Sequence, residues 1–355
     1  MLNNLVNSND LKRLARGIFT VRGLVSLGQA MERRDDRIEK AWEHTESPPS
    51  NWWDIAEVRN RWNLLVSGDA ELGFAEYASA KHLAEMQDLT ALSLGCGTGH
   101  NELDWARLGK FQKLEGIDVS WQRISAAQQA AVSENLDSIL QFRTVDIHDL
   151  NIVDGSYDVI LAIQAMHHFS PLRPLLTKVS RLLKPNGLLL VNEFVGPDRF
   201  QWTVRQMEAV NALLTILPPR LRIEWGGKKV KERVVRPSRL SMILSDPSES
   251  VESSHILPLL HELFDVVEVR NYGGTLLHML LQGIAHNFKS DDPEAQRYLR
   301  LFFEAEDLMM QSGEIRSDFA VVVCRQRGKP DAQFPYCAEL SSAEDIETVR
   351  SSLPR

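Results

Sequence analysis

Three glycines at alternate positions in Leu92-Ser93-Leu94-Gly95-Cys96-Gly97-Thr98-Gly99 are the part of this chain best suited to holding a ligand. Glycine lets the backbone turn sharply, and without a β-carbon the main chain can be approached closely. A carboxylate, Asp118, closes the run Leu114-Glu115-Gly116-Ile117-Asp118-Val119. It stands at the offset of about 20 residues where a carboxylate can accept both hydroxyls of a ribose. The glycines alone would serve a tight turn equally well. With Asp118 they point to a nucleoside-bearing ligand, and the spacing leaves NAD and FAD open.

Other side chains are suited to moving protons. His167 and His168 follow one apolar run and Glu193 ends another. An imidazole with an ordinary pKa near ~6.5 suits proton abstraction at neutral pH. Neighbours at a strand end point in different directions, so only one of the two histidines is placed to face an acceptor; the plainer and favoured alternative is that both shape the loop beside the ligand. Glu193 is placed to bind an acceptor or to orient a histidine; a solvated carboxylate at a strand terminus is the plainer alternative. His100, directly after the last glycine, is expected to line a helix start, where free N–H groups suit an anion. No metal is expected: no HExxH pair or His/carboxylate cluster has ligand spacing along the chain. A GxSxG nucleophile is absent from the glycine loop.

These residues need elements to place them. From residue 89 onward short apolar runs alternate with helical patterns, the signature of βαβ units and a parallel sheet. Strands are expected at 90–94, 114–119, 139–145, 157–163 and 187–194, with helices at 101–107, 121–133 and 171–183. Pro185-Asn186-Gly187 supplies a turn before the fifth strand. The glycine loop, Asp118, the histidines and Glu193 then all fall at the carboxyl edge of a doubly wound α/β sheet, where such folds bind ligands. Residues 1–87 read as a helical cap, 88–195 as the ligand-binding core and 196–262 as an insertion and acceptor lid with a helix-like stretch at 201–217. Residues 263–326 complete the sheet with strands at 264–270 and 318–325, and 327–355 form a polar tail.

The 355 residues carry a formal net charge of −8, which argues against a broad phosphate-tracking surface and so against nucleic acid as partner. Cys96, Cys324 and Cys337 are too few and scattered for a disulfide framework or a cysteine zinc site, which fits a reducing compartment and makes the cytoplasm the expected location. An amphipathic pattern runs through Leu11, Leu14, Ile18, Val21 and Val25 with Lys12, Arg13, Arg16 and Arg22 among them. It reads as a helix on the protein's own core or on an anionic membrane surface, and no apolar run reaches the length of a membrane span. Between Arg220 and Arg239 eight cations gather against Glu224 and Glu232, a patch suited to an anionic acceptor or to a solvated loop. Trp52, Trp53 and Trp62 are placed to wall an acceptor pocket or simply to pack a helix.

The chain resembles the class I S-adenosylmethionine-dependent methyltransferases. Leu-Gly-Cys-Gly-Thr-Gly at 94–99 is similar to the family's glycine loop. Val145-Asp146-Ile147 stands where the family sets an Asp against the adenine amino group. Tyr157-Asp158-Val159-Ile160, then Ala165-Met166-His167-His168-Phe169, resemble its fourth strand and following loop, and Leu182-Leu183-Lys184-Pro185-Asn186-Gly187-Leu188 resembles the approach to its fifth strand. The resemblance implies strand order 3-2-1-4-5-7-6 with an antiparallel seventh strand, and S-adenosylmethionine as cofactor. It implies a cofactor set of Gly95, Cys96, Gly97, Gly99, Asp118, Val119, Asp146, Ile147 and Gln164. It further implies methyl transfer, with oxygen the favoured target, to a small-molecule or glycan-like acceptor, His168, His167 and Glu193 being the candidates for catalysis. One departure stands out. The family usually has an acid two positions before the first glycine, where this chain has Ser93; Glu102 or Asn101, at the start of the next helix, are the possible substitutes. The rival readings are an RNA or other nucleic-acid methyltransferase and a non-catalytic cofactor-binding module.

Overall fold

The computed structural model describes residues 51–227, 229–289 and 291–327. The expected N-terminal amphipathic helix and polar tail lie outside the described residues. A seven-stranded sheet comprises β1 (Leu89–Leu94), β2 (Phe111–Asp118), β3 (Leu140–Thr144), β4 (Tyr157–Ile163), β5 (Leu183–Phe194), β6 (Phe264–Gly273) and β7 (Phe319–Gln326). Their order is β3-β2-β1-β4-β5-β7-β6, as the resemblance implies. β7 runs antiparallel between β5 and β6. β2 begins at Phe111, ahead of the expected start, because Leu89 N–H bonds Lys110 C=O and draws that stretch into register. β5 begins at Leu183, because Leu183 pairs with Tyr157 before a register shift; Asn186 within that shift is left-handed, with φ 63°.

Between β1 and β4 the order of strands reverses, and crevices for ligands open at such a point. β1 pairs in parallel with β2 on one side and with β4 on the other. Its residues are almost continuously buried, as expected where helices cover both faces of a parallel sheet. α1 (Ala56–Ser67) and α2 (Phe74–His82) precede the sheet, and α3 (His100–Arg107) and α4 (Trp121–Ser133) cross between its first strands. Leu103, Trp105, Ile124 and Ala127 of α3 and α4 pack with Leu114, Val159, Leu161 and Leu190 on one face. On the other, α5 (Leu172–Leu182) and α8 (Ile256–Leu263) bring Leu172, Leu176, Val179, Ile256 and Leu260 against Leu92, Ile160, Leu189 and Val322.

The remaining helices, α6 (Val204–Ile216), α7 (Arg239–Ser245), α9 (Leu277–Leu281) and α10 (Pro293–Gln311), follow β5 and β6. A third core joins α1, α6, α9 and α10 to Phe194, Phe319 and Val321 of the sheet. Its centre is α9, five residues long and buried on nearly every side. A helix that short cannot satisfy its own ends, so the fold supplies both caps. Glu306 of α10 accepts the N–H groups of Gly274, Leu276 and Leu277 at 2.9, 2.7 and 3.2 Å. At the opposite end Lys231 Nζ donates to the carbonyls of Met279, Leu280 and Gln282 at 2.9, 3.1 and 2.7 Å. Negative charge at the first turn and positive charge at the last complement the helix dipole. Burial pulls the Lys231 ammonium down to about 8, with the Glu224 charge opposing.

Glu306 also binds Arg61 of α1 at 3.0 Å, and Arg61 reaches Asp307 at 2.5 Å. Glu306 is fully buried whereas Asp307 stays in contact with solvent. Glu306→Ala is therefore expected to lower the unfolding free energy by about 3–5 kcal/mol, because it strands the buried Arg61 and the start of α9. Asp307→Ala is expected to lower it by about 1 kcal/mol or less. Urea unfolding of the two variants measures the contrast.

Candidate active site

β1 passes into α3 through Gly95, Gly97 and Gly99, with φ of 66°, 55° and 77°, a left-handed region that side chains with a β-carbon disfavour. At Gly95 space matters as well: a β-carbon there would lie 2.7 Å from that of Ala165, in the loop after β4. Cys96 N–H bonds Ile117 C=O at 3.0 Å, continuing the strand pairing into the loop. Gly97 N–H donates to Asp118 Oδ2 and Ser120 N–H to Asp118 Oδ1, each at 2.9 Å. The carboxylate at the end of β2 is thus held by one backbone donor from the glycine loop and one from the start of α4.

A cleft of about 970 Å³, open mouth included, lies beside this carboxylate. Gly95, Asp118, Val119, Asp146, Ile147, Gln164 and His168, all expected from the sequence, line it. Cys96, Gly97 and Gly99 do not: they shape the loop, and Cys96 is buried, its Sγ 2.9 Å from where a β-carbon on Gly116 would stand. Burial pushes the Cys96 thiol well up, so it stays protonated. Asp146 Oδ1 accepts His148 N–H at 2.8 Å, which fixes the loop after β3. Gln164 is left-handed, with φ 52°, and is held there by its N–H on Asn192 C=O at 2.8 Å. Its Nε2 lies 3.2 Å from Asn192 Oδ1 and 3.3 Å from the Tyr272 hydroxyl.

The wall beyond Gln164 is built on Glu193. This fully buried carboxylate accepts the N–H groups of Ala165 and Met166 at 2.5 Å and of Phe194 at 2.8 Å, and it meets His167 Nδ1 at 2.6 Å. Burial opposes a charge on His167, but Glu193, with Glu249 and Asp246 behind it, overcomes this and lifts the imidazole to about 9. His167 is therefore cationic at neutral pH and turned inward. His168 is the one that faces the cleft. Its ring lies 4.1 Å from that of His167, and burial, the His167 charge and Arg123 hold its pKa well below the usual imidazole range.

His168 Nδ1 lies 3.2 Å from Ser248 Oγ, and the Ser248 hydroxyl donates to Asp246 Oδ1 at 2.6 Å. With the serine hydrogen directed at Asp246, its oxygen is left to accept from an N–H of neutral His168. The 246–250 loop reaches this position because Arg199 clamps it, donating to the carbonyls of Pro247 and Glu249 at 2.8 and 3.0 Å. Arg199, Phe200 and Ser250 all have positive φ, 54°, 50° and 47°, strain of the kind that collects at functional sites.

Sequence reasoning missed Arg123, Ser248 and Glu249. Arg123 lines the cleft; burial lowers its guanidinium pKa while Asp118 opposes that shift. Ser248 and Glu249 stand in a stretch, 246–250, that resembles a subgroup of bacterial methyltransferases, but nothing local gave them a place in the site, about 80 residues distant from the histidines. The fold also gathers what the sequence scattered: donor atoms of His167, His168 and Glu249 lie within 4.8 Å of one another, a grouping that can hold a metal ion. Within that grouping His167 Nδ1 is already committed to Glu193. Because the folded His167 pKa is raised, its pairing stabilises the fold fully below ~6.5, the unfolded value, and is lost as pH climbs through 9. The melting temperature of the wild-type chain is expected to fall more steeply between those pH values than that of His167→Gln, as calorimetric scans across the range will register.

A family model described as Methyltransferase domain matches residues 92–191. The 27-O-demethylrifamycin SV methyltransferase of Amycolatopsis mediterranei is 27% identical over 104 residues, 29% of this chain and 38% of that protein. A sterol 24-C-methyltransferase of Gibberella zeae is 26% identical over 234 residues, 60% of this chain and 58% of its own length. The chain thus spans less than two thirds of the length of either relative. Among solved structures, a geranyl diphosphate methyltransferase aligns with 83% of this chain and 100% of its own at 13% identity and a TM-score of 0.49. Residues 92–191 thus match a methyltransferase domain and sit in a sheet of order β3-β2-β1-β4-β5-β7-β6, the order that the resemblance to the class I S-adenosylmethionine-dependent methyltransferases implies.

Proposed function

We propose that this chain transfers the methyl group of S-adenosylmethionine to a hydroxyl oxygen of a small-molecule or glycan-like acceptor. The observation that carries this reading is a neutral imidazole, His168, on the wall of a cleft that Gly95 and Asp118 also line. The residues fit the cofactor. Asp118, oriented by two backbone donors, is placed for ribose hydroxyls. Ile117, Val119, Ile147 and Phe169 give apolar walls for a flat ring, with Asp146 at its edge to accept the adenine amino group. Gly95 leaves room that a β-carbon would close.

Bound S-adenosylmethionine supplies a methyl group on a positively charged sulfur, open to in-line displacement. The protein's part is to hold the acceptor oxygen in line and take its proton. His168 takes that proton, with Ser248 and Asp246 fixing the ring through Nδ1. His167 and Glu193 work behind it by anchoring the loop. Low basicity is no obstacle in this role, because an alcohol oxygen becomes strongly acidic as the new C–O bond forms, so a neutral imidazole suffices. An anionic acceptor has less to draw on than the run of eight cations suggests. Arg220 pairs with Asp292 and Glu294, Lys229 with Glu224, and Lys231 is buried under α9.

Incubation with methyl-labelled cofactor and pools of small molecules and glycan precursors is expected to yield a labelled product; no transfer to any pool, with cofactor bound, would favour a non-catalytic module. With an acceptor in hand, His168→Gln is expected to lower turnover by about 10²–10⁴-fold, the usual contribution of a general base, without altering the affinity for S-adenosylhomocysteine. Asp118→Ala is expected to act on that affinity instead, and titration calorimetry separates the two.

A further inference from the structure

Beneath the glycine loop the chain buries a carboxylate that methyl transfer as described leaves unused. Glu102 lies in the first turn of α3 and is 1% exposed. Its Oε1 accepts the hydroxyl of Ser93, equally buried at the end of β1, at 2.5 Å. Its Oε2 is shut off from water and has no hydrogen-bond partner. A carboxylate held only by Ser93 and its own backbone N–H, with one oxygen left without a partner and no solvent, is costly to keep. This fold knows how to avoid that cost: Glu193 and Glu306, equally buried, each receive four donors. Glu102 is left half satisfied in the segment that borders the cofactor cleft.

The charged groups that act most on Glu102 are Asp118 and Asp104, both acids. Burial pushes its carboxyl up to about 7, with the Ser93 bond pulling the other way and the two acids adding to the rise. Near neutral pH the group is thus poised to ionise fully once positive charge is brought to it. Ser93 stands two residues before Gly95 and Glu102 three residues after Gly99, so the pair closes the base of the loop from both ends.

We infer that Glu102, presented by Ser93, receives the primary ammonium of the cofactor's amino-acid portion, a task moved here from the strand to the following helix. This rests on the cofactor reading above. Ser93 is then the hydroxyl that orients the acid rather than a vacancy where an acid should be.

The test compares S-adenosylhomocysteine with 5′-methylthioadenosine, which keeps the nucleoside and lacks the amino acid, by titration calorimetry on the full chain. Glu102→Gln preserves shape and the Ser93 contact. It is expected to weaken S-adenosylhomocysteine by about 10–100-fold, the worth of a hydrogen bond to a charged group, while 5′-methylthioadenosine binds as before. Adding Ser93→Asp to that variant is expected to restore much of the loss. If the Gln variant does not fold, Glu102→Asp, which keeps the charge but draws it back by one methylene, is expected to give a smaller loss, again for S-adenosylhomocysteine alone. Equal effects on both ligands, or none on either, would overturn the inference and leave the cofactor reading standing. Failure of the wild-type chain to bind either ligand would overturn both.

Discussion

One buried carboxylate organises the wall of the cleft beyond Gln164. Glu193 closes β5 with no exposure to solvent, and its oxygens are occupied by three backbone N–H groups and one imidazole. Two of those donors belong to the loop after β4, so the neighbouring strand's side chain fixes the path of that loop. A carboxylate so thoroughly paired is far more rigid than one in water, and the loop inherits the rigidity. It is why Gln164 can be held left-handed, and why His167 is drawn inward while His168 remains at the cleft.

The same economy of buried charge recurs where the helical additions meet the sheet. Glu306 joins α1, α9 and α10 through Arg61 and three backbone donors. Asp318, just before β7, takes the Trp202 indole N–H at 3.0 Å and lies 3.3 Å from Gln206 Nε2, tying α6 to the sheet. Burial, reinforced by Glu306, lifts its carboxyl to about 8, so it serves as a neutral hub. These contacts settle the additions over the carboxyl edges of β5 and β6, beside the cleft, instead of leaving them as loose insertions. The 246–250 loop belongs to the same design: Arg199 spends its guanidinium on the carbonyls of that loop, and the loop in turn presents Ser248 and Glu249 to the histidines.

Much of the frame was legible in the residues. Apolar runs alternating with helical patterns, the glycines at 95, 97 and 99, and Asp118 at the end of the next strand are signals carried by neighbouring residues. Each reflects what the backbone can do locally: turn left-handed at glycine, or bury every side chain of a central strand. The resemblance over about 88–195, with the final strands at 264–325, supplied the order of the strands, including the reversed seventh. The boundaries of β2 and β5 were less legible, because pairing with Lys110 and Tyr157 extended them.

By itself the sequence determined a doubly wound sheet with the glycine loop and Asp118 at its carboxyl edge and two histidines and a glutamate nearby. Only the tertiary structure decided which histidine looks into the cleft and that Cys96 turns away from it. It alone revealed that Ser248 and Glu249 join from a distant loop, and that Arg220, Lys229 and Lys231 are absorbed by internal partners. The reason is physical. Turns and strands follow from local backbone preferences, whereas the direction and charge of a buried polar side chain are set by competition among donors and acceptors far apart in the chain.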